Sequence, residues 1–394
     1  MKKRKICIVT TSRADYGSMS CIMREIKEDP ALELITVVTG SHLLREFGLT
    51  YKEIIKDGFK IDRKVDMLLR KDDETSIVKS IGKGCILFSE VLRDLAPDIV
   101  VVLGDRFELL SIVSAAVVLK TPVAHLCGGD LTAGAIDEVI RHAVTKLSTY
   151  HFAASEPYRK RIIQMGENPS NVFNYGHPGL DNILELNLMT QEQLERSIDF
   201  KFGDEKIAIA TYHPVTLEAR TGRDQINNLL KAIKAFDIKV VFTKSNCDTG
   251  GREINGLIKT FCESNDKKYK FTDNLGQLRY LSCLKNFDLV IGNSSSGLSE
   301  APSFGIPVVN IGDRQLGRLR SKNVIDSGYS VDMIKKAIKK GLSSSFRTVA
   351  KSAVNPYKKP GVKSAGKKIK EKLKKVSISP VILKKHFFDV EFEY

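Results

Sequence analysis

Ten short, near-continuously apolar runs restrict the fold of this chain more than any other feature. The first six cover residues 5–11, 32–38, 99–104, 123–126, 151–154 and 172–174; the rest cover 206–211, 239–243, 287–292 and 307–311. β-Branched stretches without polar alternation mark parallel strands covered on both faces. Amphipathic patterns over 16–27, 108–119, 138–147, 224–235 and 275–284 predict helices between them. Two successive βαβ series predict an α/β protein of two doubly wound, Rossmann-like domains. The expected division is 1–177 and 178–350, followed by a basic tail over 351–394. The first join falls near a Gly-His-Pro-Gly turn at Gly176 to Gly179.

Charge matters here only through its location. The formal net charge is +15, but residues 351–385 hold twelve lysines and one acid, Glu371, so +11 of it lies in that stretch. Ala365, Ile369, Leu373 and Val376 recur there at helical spacing, which predicts a helix docked by its apolar face with lysines in water. A nucleic-acid or membrane partner is therefore not expected. No apolar run approaches the roughly 18 residues of a membrane span, and a cytoplasmic location is expected. The seven cysteines are scattered without a C-x-x-C pair, which excludes a disulfide scaffold or zinc ribbon. No His, Cys or Asp cluster has metal-ligand spacing, so no metal is expected.

Ligands of open α/β sheets gather beyond the carboxyl ends of strands. Polar groups follow nearly every predicted strand, and two such rims facing each other would form a cleft. Gly292-Asn293-Ser294-Ser295-Ser296-Gly297 ends a strand and opens a helix, a setting in which backbone N–H groups can cradle phosphate. Glu300, a turn further, suits a ribose diol. Arg314 and Arg318 offer two guanidiniums for bidentate phosphate contacts, and Arg13 could reach the same anion from the first domain. Asp105, directly after a buried strand and Gly104, is the leading proton-transfer candidate; Asp130, Asp137 and Glu138 are the other acids. His42 and His213 lie just past strand ends. Asp15, Arg106, Arg141 and His142 complete the candidates, as sugar-facing groups. Cys127 could be a thiol nucleophile, but no Ser-His-Asp elbow accompanies it. Neither a P-loop nor a dinucleotide fingerprint is present.

Taken in order, Thr11-Ser-Arg-Ala-Asp-Tyr-Gly, Gly104-Asp-Arg-Phe-Glu, His125-Leu-Cys-Gly-Gly-Asp, Ile136-Asp-Glu-Val-Ile-Arg-His, Gly292-Asn-Ser-Ser-Ser-Gly and Asn310-Ile-Gly-Asp-Arg-Gln-Leu-Gly-Arg resemble the hydrolysing UDP-N-acetylglucosamine 2-epimerases. The resemblance runs from about residue 5 to residue 325. It implies a glycosyltransferase-B type fold whose last helix returns to the first domain, no required cofactor, and a homodimer or homotetramer. It also implies conversion of UDP-N-acetylglucosamine to N-acetylmannosamine and UDP through a 2-acetamidoglucal intermediate. The same reaction on UDP-2,4-diacetamido-2,4,6-trideoxyglucose is the alternative, in sialic- or legionaminic-type pathways, and a sugar transferase of the same fold is a further one. By position, Asp105 and Asp137 match the family's essential acids. Arg13, His213, Ser295, Ser296, Glu300 and Arg314 match its UDP contacts. The family pattern implies a glutamate immediately before Gly-Gly, where this chain carries Cys127, so Asp130 or Glu138 is expected to fill that role.

Overall fold

The computed structural model describes residues 3–71, 73–133, 135–215, 222–245, 248 and 250–391; Thr216, Asn246 and Cys247 lie outside them. The chain divides into two compact units. The first holds 1–130, 137–184 and 357–394, and the second holds 131–136 and 185–356.

A seven-stranded sheet forms the first unit. Its strands are β1 (Arg4–Thr10), β2 (Leu32–Thr39), β3 (Arg63–Val65), β4 (Ile99–Leu103), β5 (Val123–Leu126), β6 (Tyr150–Ala153) and β7 (Val172–Asn174), in the order β3-β2-β1-β4-β5-β6-β7. The second unit carries β8 (Ile207–Thr211), β9 (Lys239–Thr243), β10 (Tyr269–Thr272), β11 (Leu289–Gly292), β12 (Val308–Ile311) and β13 (Val324–Ser327), ordered β10-β9-β8-β11-β12-β13. Every pairing is parallel. Ile99, Val100, Val101 and Val102 of β4 are fully buried, as helices on both faces require. Each such side chain contributes about 1.5–3 kcal/mol by leaving water.

Three strands escaped the sequence reading: β3, β10 and β13. All are edge strands with only part of their residues buried. A strand covered on fewer sides has no need of a continuous apolar run, so it leaves little trace in hydropathy.

The chain crosses between units at Leu184/Glu185, seven residues beyond the expected join. Asn182 explains the delay: its side-chain amide donates to Gly17 O at 2.8 Å, and its Oδ1 accepts from Arg24 at 3.0 Å. Residues 351–356 remain with the second unit, where Asn355 donates to Ser299 O and Ser303 Oγ, each at 2.7 Å.

The basic tail returns to the first unit as a helix, Ala365–Lys375, packed along the helix Arg13–Glu28. Ala365, Ile369 and Leu373 are buried there. Asp181 caps its start, accepting from the backbone N–H groups of Ala365 (3.0 Å) and Gly366 (2.7 Å). Lys370 and Lys374 reach Asp29 at 3.2 and 2.9 Å, so part of the positive charge is committed to docking. Among the described residues no helix is long and apolar enough to cross a membrane.

Candidate active site at two strand crossovers

Each sheet has one place where the chain leaves neighbouring strands in opposite directions. In the first sheet it lies between β1 and β4, and in the second between β8 and β11. Such a divergence opens a crevice at the carboxyl ends of the strands. Most of the candidate residues fall at these two positions.

At the first, Gly104 turns the chain with φ +87° and delivers Asp105. Its carboxylate forms an ion pair with Arg141 Nη2, from the helix Asp137–Leu147. The Arg141 side chain is only 2% exposed, so it fixes the direction of Asp105 from below. Arg106 is held in the same way: Glu108, fully buried, accepts from its Nε at 3.2 Å and its Nη2 at 3.3 Å. Glu138 and His142 pair at 3.1 Å across one helical turn, while Asp137 stands partly exposed in the first turn. Asp130 is 7% exposed and follows the Gly-Gly turn. That turn permits only glycine. A Cβ at Gly129 (φ +73°) would sit 2.4 Å from Tyr158 O, and one at Gly128 would sit 2.9 Å from His125 Nδ1. Cys127, next to it, adopts φ +60°, a left-handed backbone costing about 1–2 kcal/mol for a residue with a Cβ. Its N–H donates to Phe152 O at 2.8 Å.

Two candidates of the first unit have other occupations. Asp15, expected to face sugar, is the third residue of the helix Arg13–Glu28 and completes a capping box with Ser12. Its carboxylate accepts from Thr10 Oγ1 (2.7 Å), Thr11 N (2.8 Å), Thr11 Oγ1 (2.8 Å) and Ser12 N (2.9 Å), which commits both oxygens to the helix start. His42, expected among the catalytic groups, is fully buried, with Nε2 3.0 Å from Thr10 Oγ1 and Nδ1 2.7 Å from Thr50 Oγ1. Burial pushes it down to about 4, against which the nearby Asp15 carboxylate acts only in part. Arg13 itself opens the helix and is partly exposed.

The histidines set an acid limit on stability. Burial also pushes His125 down to about 3; its Nε2 lies 2.7 Å from Gly104 O. Unfolded histidines take up protons near pH 6.5, while these two stay neutral in the fold. The unfolded state therefore binds more protons below pH 6.5, and stability must fall as pH drops from 6.5 towards 4. Urea midpoints measured across that range should decline, and His42→Asn should flatten the slope while lowering the plateau. A slope unchanged by that substitution would contradict the assignment.

In the second unit the crossover is built around Asn293, which is fully buried. Its side-chain amide clasps the backbone of His213, accepting from His213 N at 2.7 Å and donating to His213 O at 2.8 Å. Its own carbonyl accepts from Arg314 Nη1 (3.3 Å) and Gln315 Nε2 (2.8 Å). One asparagine thus ties together the exits of β8, β11 and β12. Gly292 makes this possible, since a Cβ there would lie 1.8 Å from Thr211 O. Ser294, Ser295 and Ser296 follow, and the short helix Ser296–Ser299 begins at once. The N–H groups of Gly297 and Leu298 donate back to Ser294 O (3.2 Å) and Ser295 O (3.0 Å), so the earlier N–H groups of the serine run are the ones suited to an anion. Ser296 Oγ is hydrogen-bonded to Tyr280 OH and lies 3.3 Å from Ser294 Oγ. Gly297 packs against Val308, and Glu300 closes the turn, half-buried. His213 Nδ1 lies 3.4 Å from Ser245 Oγ.

Arg318 departs from expectation. Its Nε donates to Leu131 O at 2.8 Å and its Nη2 to Thr132 Oγ1 at 3.1 Å, so this guanidinium anchors the 131–136 loop. Gly317 lets that loop approach, because a Cβ there would lie 2.6 Å from Leu131. Tyr280, Gln315, Ser245 and Glu108 were missed from sequence. Gln315 and Glu108 did leave a trace, inside the Arg314 and Asp105 motifs, whereas Tyr280 and Ser245 join the site through contacts distant in the chain. Among the described residues no group of three or more His, Cys, Asp or Glu side chains could hold a metal.

Known proteins resemble this chain in sequence and in fold. Residues 24–374 match the model of the family described as UDP-N-acetylglucosamine 2-epimerase. A Campylobacter jejuni protein named GDP/UDP-N,N'-diacetylbacillosamine 2-epimerase (hydrolyzing) is 44% identical over 348 residues, covering 88% of this chain and 90% of its own. A Legionella pneumophila UDP-N,N'-diacetylbacillosamine 2-epimerase (hydrolyzing) is 38% identical, covering 86% and 89%. Among solved structures, the Neisseria meningitidis UDP-GlcNAc 2-epimerase bound to UDP-GlcNAc superposes with a TM-score of 0.79 at 19% identity, covering 94% of this chain and 99% of that one. That likeness shows the shared fold of two Rossmann-like α/β domains.

Proposed function

The chain belongs to the UDP-N-acetylglucosamine 2-epimerase family, and from that membership we propose that it is a hydrolysing 2-epimerase of a UDP-2,4-diacetamido-2,4,6-trideoxy sugar. The observation that carries the choice of sugar is the 44% identity over most of both chains with the Campylobacter protein of that name. It reverses the order expected from sequence, in which UDP-N-acetylglucosamine stood first.

In the proposed reaction a carboxylate takes the proton from C2 while the C1–O bond to UDP breaks. The C2–H electron pair becomes the C1–C2 double bond, and UDP leaves with the C1–O pair. Water then adds its hydroxyl to C1 while C2 is reprotonated on the opposite face, giving the free 2-epimer. Because no carbonyl acidifies C2, stabilising the departing diphosphate must supply much of the rate, about tenfold for each 1.36 kcal/mol. Arg314, oriented by its bond to the Asn293 carbonyl, and the N–H groups at Ser294 to Ser296 suit that task. His213, held by Asn293, would add a hydrogen bond, and Arg13 a further guanidinium. Glu300 is proposed for the ribose. Asp105, aimed by Arg141, is the proposed base at C2; Asp137, Asp130 and Glu138 are the proposed sources of the return proton. Arg106 and His142, both held in place, would contact the sugar.

The test is product analysis with two substrates, UDP-GlcNAc and its 4-acetamido-4,6-dideoxy relative. The diacetamido substrate should be consumed with the larger kcat/KM, releasing UDP and a free C2-inverted sugar. Return of an intact UDP-linked epimer would mean the non-hydrolysing reaction. Retained UDP-sugar without an added acceptor would indicate a transferase, and no deuterium at C2 in heavy water would indicate a protein without this chemistry.

A further inference from the structure

The helix Asp137–Leu147 carries two of the proposed acids at its start and meets the C-terminal tail at its end. Lys385 Nζ donates to Lys146 O at 2.8 Å and to Ser148 O at 2.6 Å, in and just past the last turn, where a helix leaves its carbonyls without partners. A cation suits that end of a helix. The same ammonium lies 2.7 Å from Glu167 Oε2, and Lys146 Nζ lies 2.6 Å from Oε1. Glu167 is 2% exposed, with His151 Nε2 at 3.0 Å as its third partner. Two aromatic residues seat the same stretch of tail. A Cβ at Gly166 would overlap the Phe387 ring, Lys146 Nζ stands 5.0 Å from the centre of that ring, and Phe388 N donates to Gly166 O at 3.0 Å. These tail residues lie beyond the part of the chain matched to the family.

Two routes lead from this cap to Asp105. Arg141, in the middle of the helix, pairs with Asp105 directly. Thr145 Oγ1, one residue before Lys146, lies 3.2 Å from His125 Nδ1, and His125 Nε2 lies 2.7 Å from Gly104 O, next to Asp105. His125 is fully buried, so it has little room to absorb a shift. An α-helix is stiff along its axis, and the 11 residues of this one carry a displacement of the last turn through to the first. We infer that Lys385 is a positioning residue for the reaction. By capping the helix 137–147 it fixes where Asp137, Glu138 and Arg141 stand, and through Arg141 the direction of Asp105. This role rests on the proposed 2-epimerase chemistry, and it concerns rate rather than UDP binding.

Lys385→Met in the full chain tests the role, since methionine keeps the stem and removes the donors. Hydrogen exchange needs no substrate: the amides of the helix 137–147 should exchange about 2–5-fold faster, the scale of losing a cation at a helix C-terminus. With the diacetamido UDP-sugar, kcat should fall by about 10–100-fold, as a misplaced catalytic group costs. Product inhibition by UDP should stay at the wild-type level. The primary isotope effect with substrate deuterated at C2 should rise, because the proton transfer is the step slowed; a smaller folded fraction would leave that ratio unmoved. Lys385→Arg, which can still donate to both carbonyls and Glu167, should recover most of the lost rate. Unchanged exchange in the helix would overturn the inference, as would an unchanged isotope effect or a Lys385→Arg variant as slow as Lys385→Met. Wild-type turnover matched by Lys385→Met would overturn this inference alone. A wild-type protein inactive on both UDP-sugars would instead overturn the proposed function, and this role with it.

Discussion

Asp105→Asn is expected to lower kcat by about 10²–10⁴, the usual contribution of a positioned general acid or base. The expectation rests on placement. Asp105 stands two residues beyond the end of β4 at the strand crossover of the first sheet, and its ion pair with Arg141 holds the carboxylate in one direction. Asparagine keeps the shape but cannot accept the C2 proton. It also removes the charge opposite a guanidinium whose side chain is 2% exposed, so some loss of thermal stability should accompany the loss of rate. Product inhibition by UDP separates the two effects, because the proposed diphosphate contacts lie largely in the other unit. The variant should bind UDP almost as the wild type does while turning over slowly. Near-normal turnover would remove Asp105 from the chemistry.

Arg314→Ala should act on the other half of the reaction, weakening UDP as a product inhibitor by about 10–100-fold, the scale of one hydrogen bond to a charged group. Arg314 is 7% exposed, and its Nη1 already donates to Asn293 O, so little side-chain entropy remains to be lost when diphosphate binds. Structural collapse is not expected from the substitution, because Gln315 Nε2 holds the same carbonyl at 2.8 Å. Arg314→Lys should fall between the two, since an ammonium supplies charge without the planar fork. UDP inhibition that is identical in wild type and Arg314→Ala would exclude this guanidinium from the diphosphate site.

The two arginines of one turn illustrate what sequence could and could not tell. Arg314 and Arg318 have the same chemistry and lie about one turn apart, and both were candidates for phosphate. The fold gives Arg314 to the strand crossover and Arg318 to Leu131 and Thr132, nearly two hundred residues away in the chain. Asp15 is a subtler case. Ser12 and Asp15 at capping-box spacing were visible in the sequence, yet the acid's place just after β1 drew a functional reading. The number of donors converging on its two oxygens decides for the cap.

The sequence by itself determined the two βαβ series, the central strands, the family, and the placing of acids and small residues at strand exits. These are local properties: continuous apolar runs follow from burial on both faces, and a loop that follows a parallel strand must emerge at the carboxyl edge. Only the tertiary structure decided which polar side chains remain for a ligand. Asp15 and His42 spend their hydrogen bonds on the fold, while Asn293 gathers three strand exits and Arg141 aims Asp105. Apart from the local cap around Asp15, these partners come from distant parts of the chain, and spacing along the sequence carries no record of them.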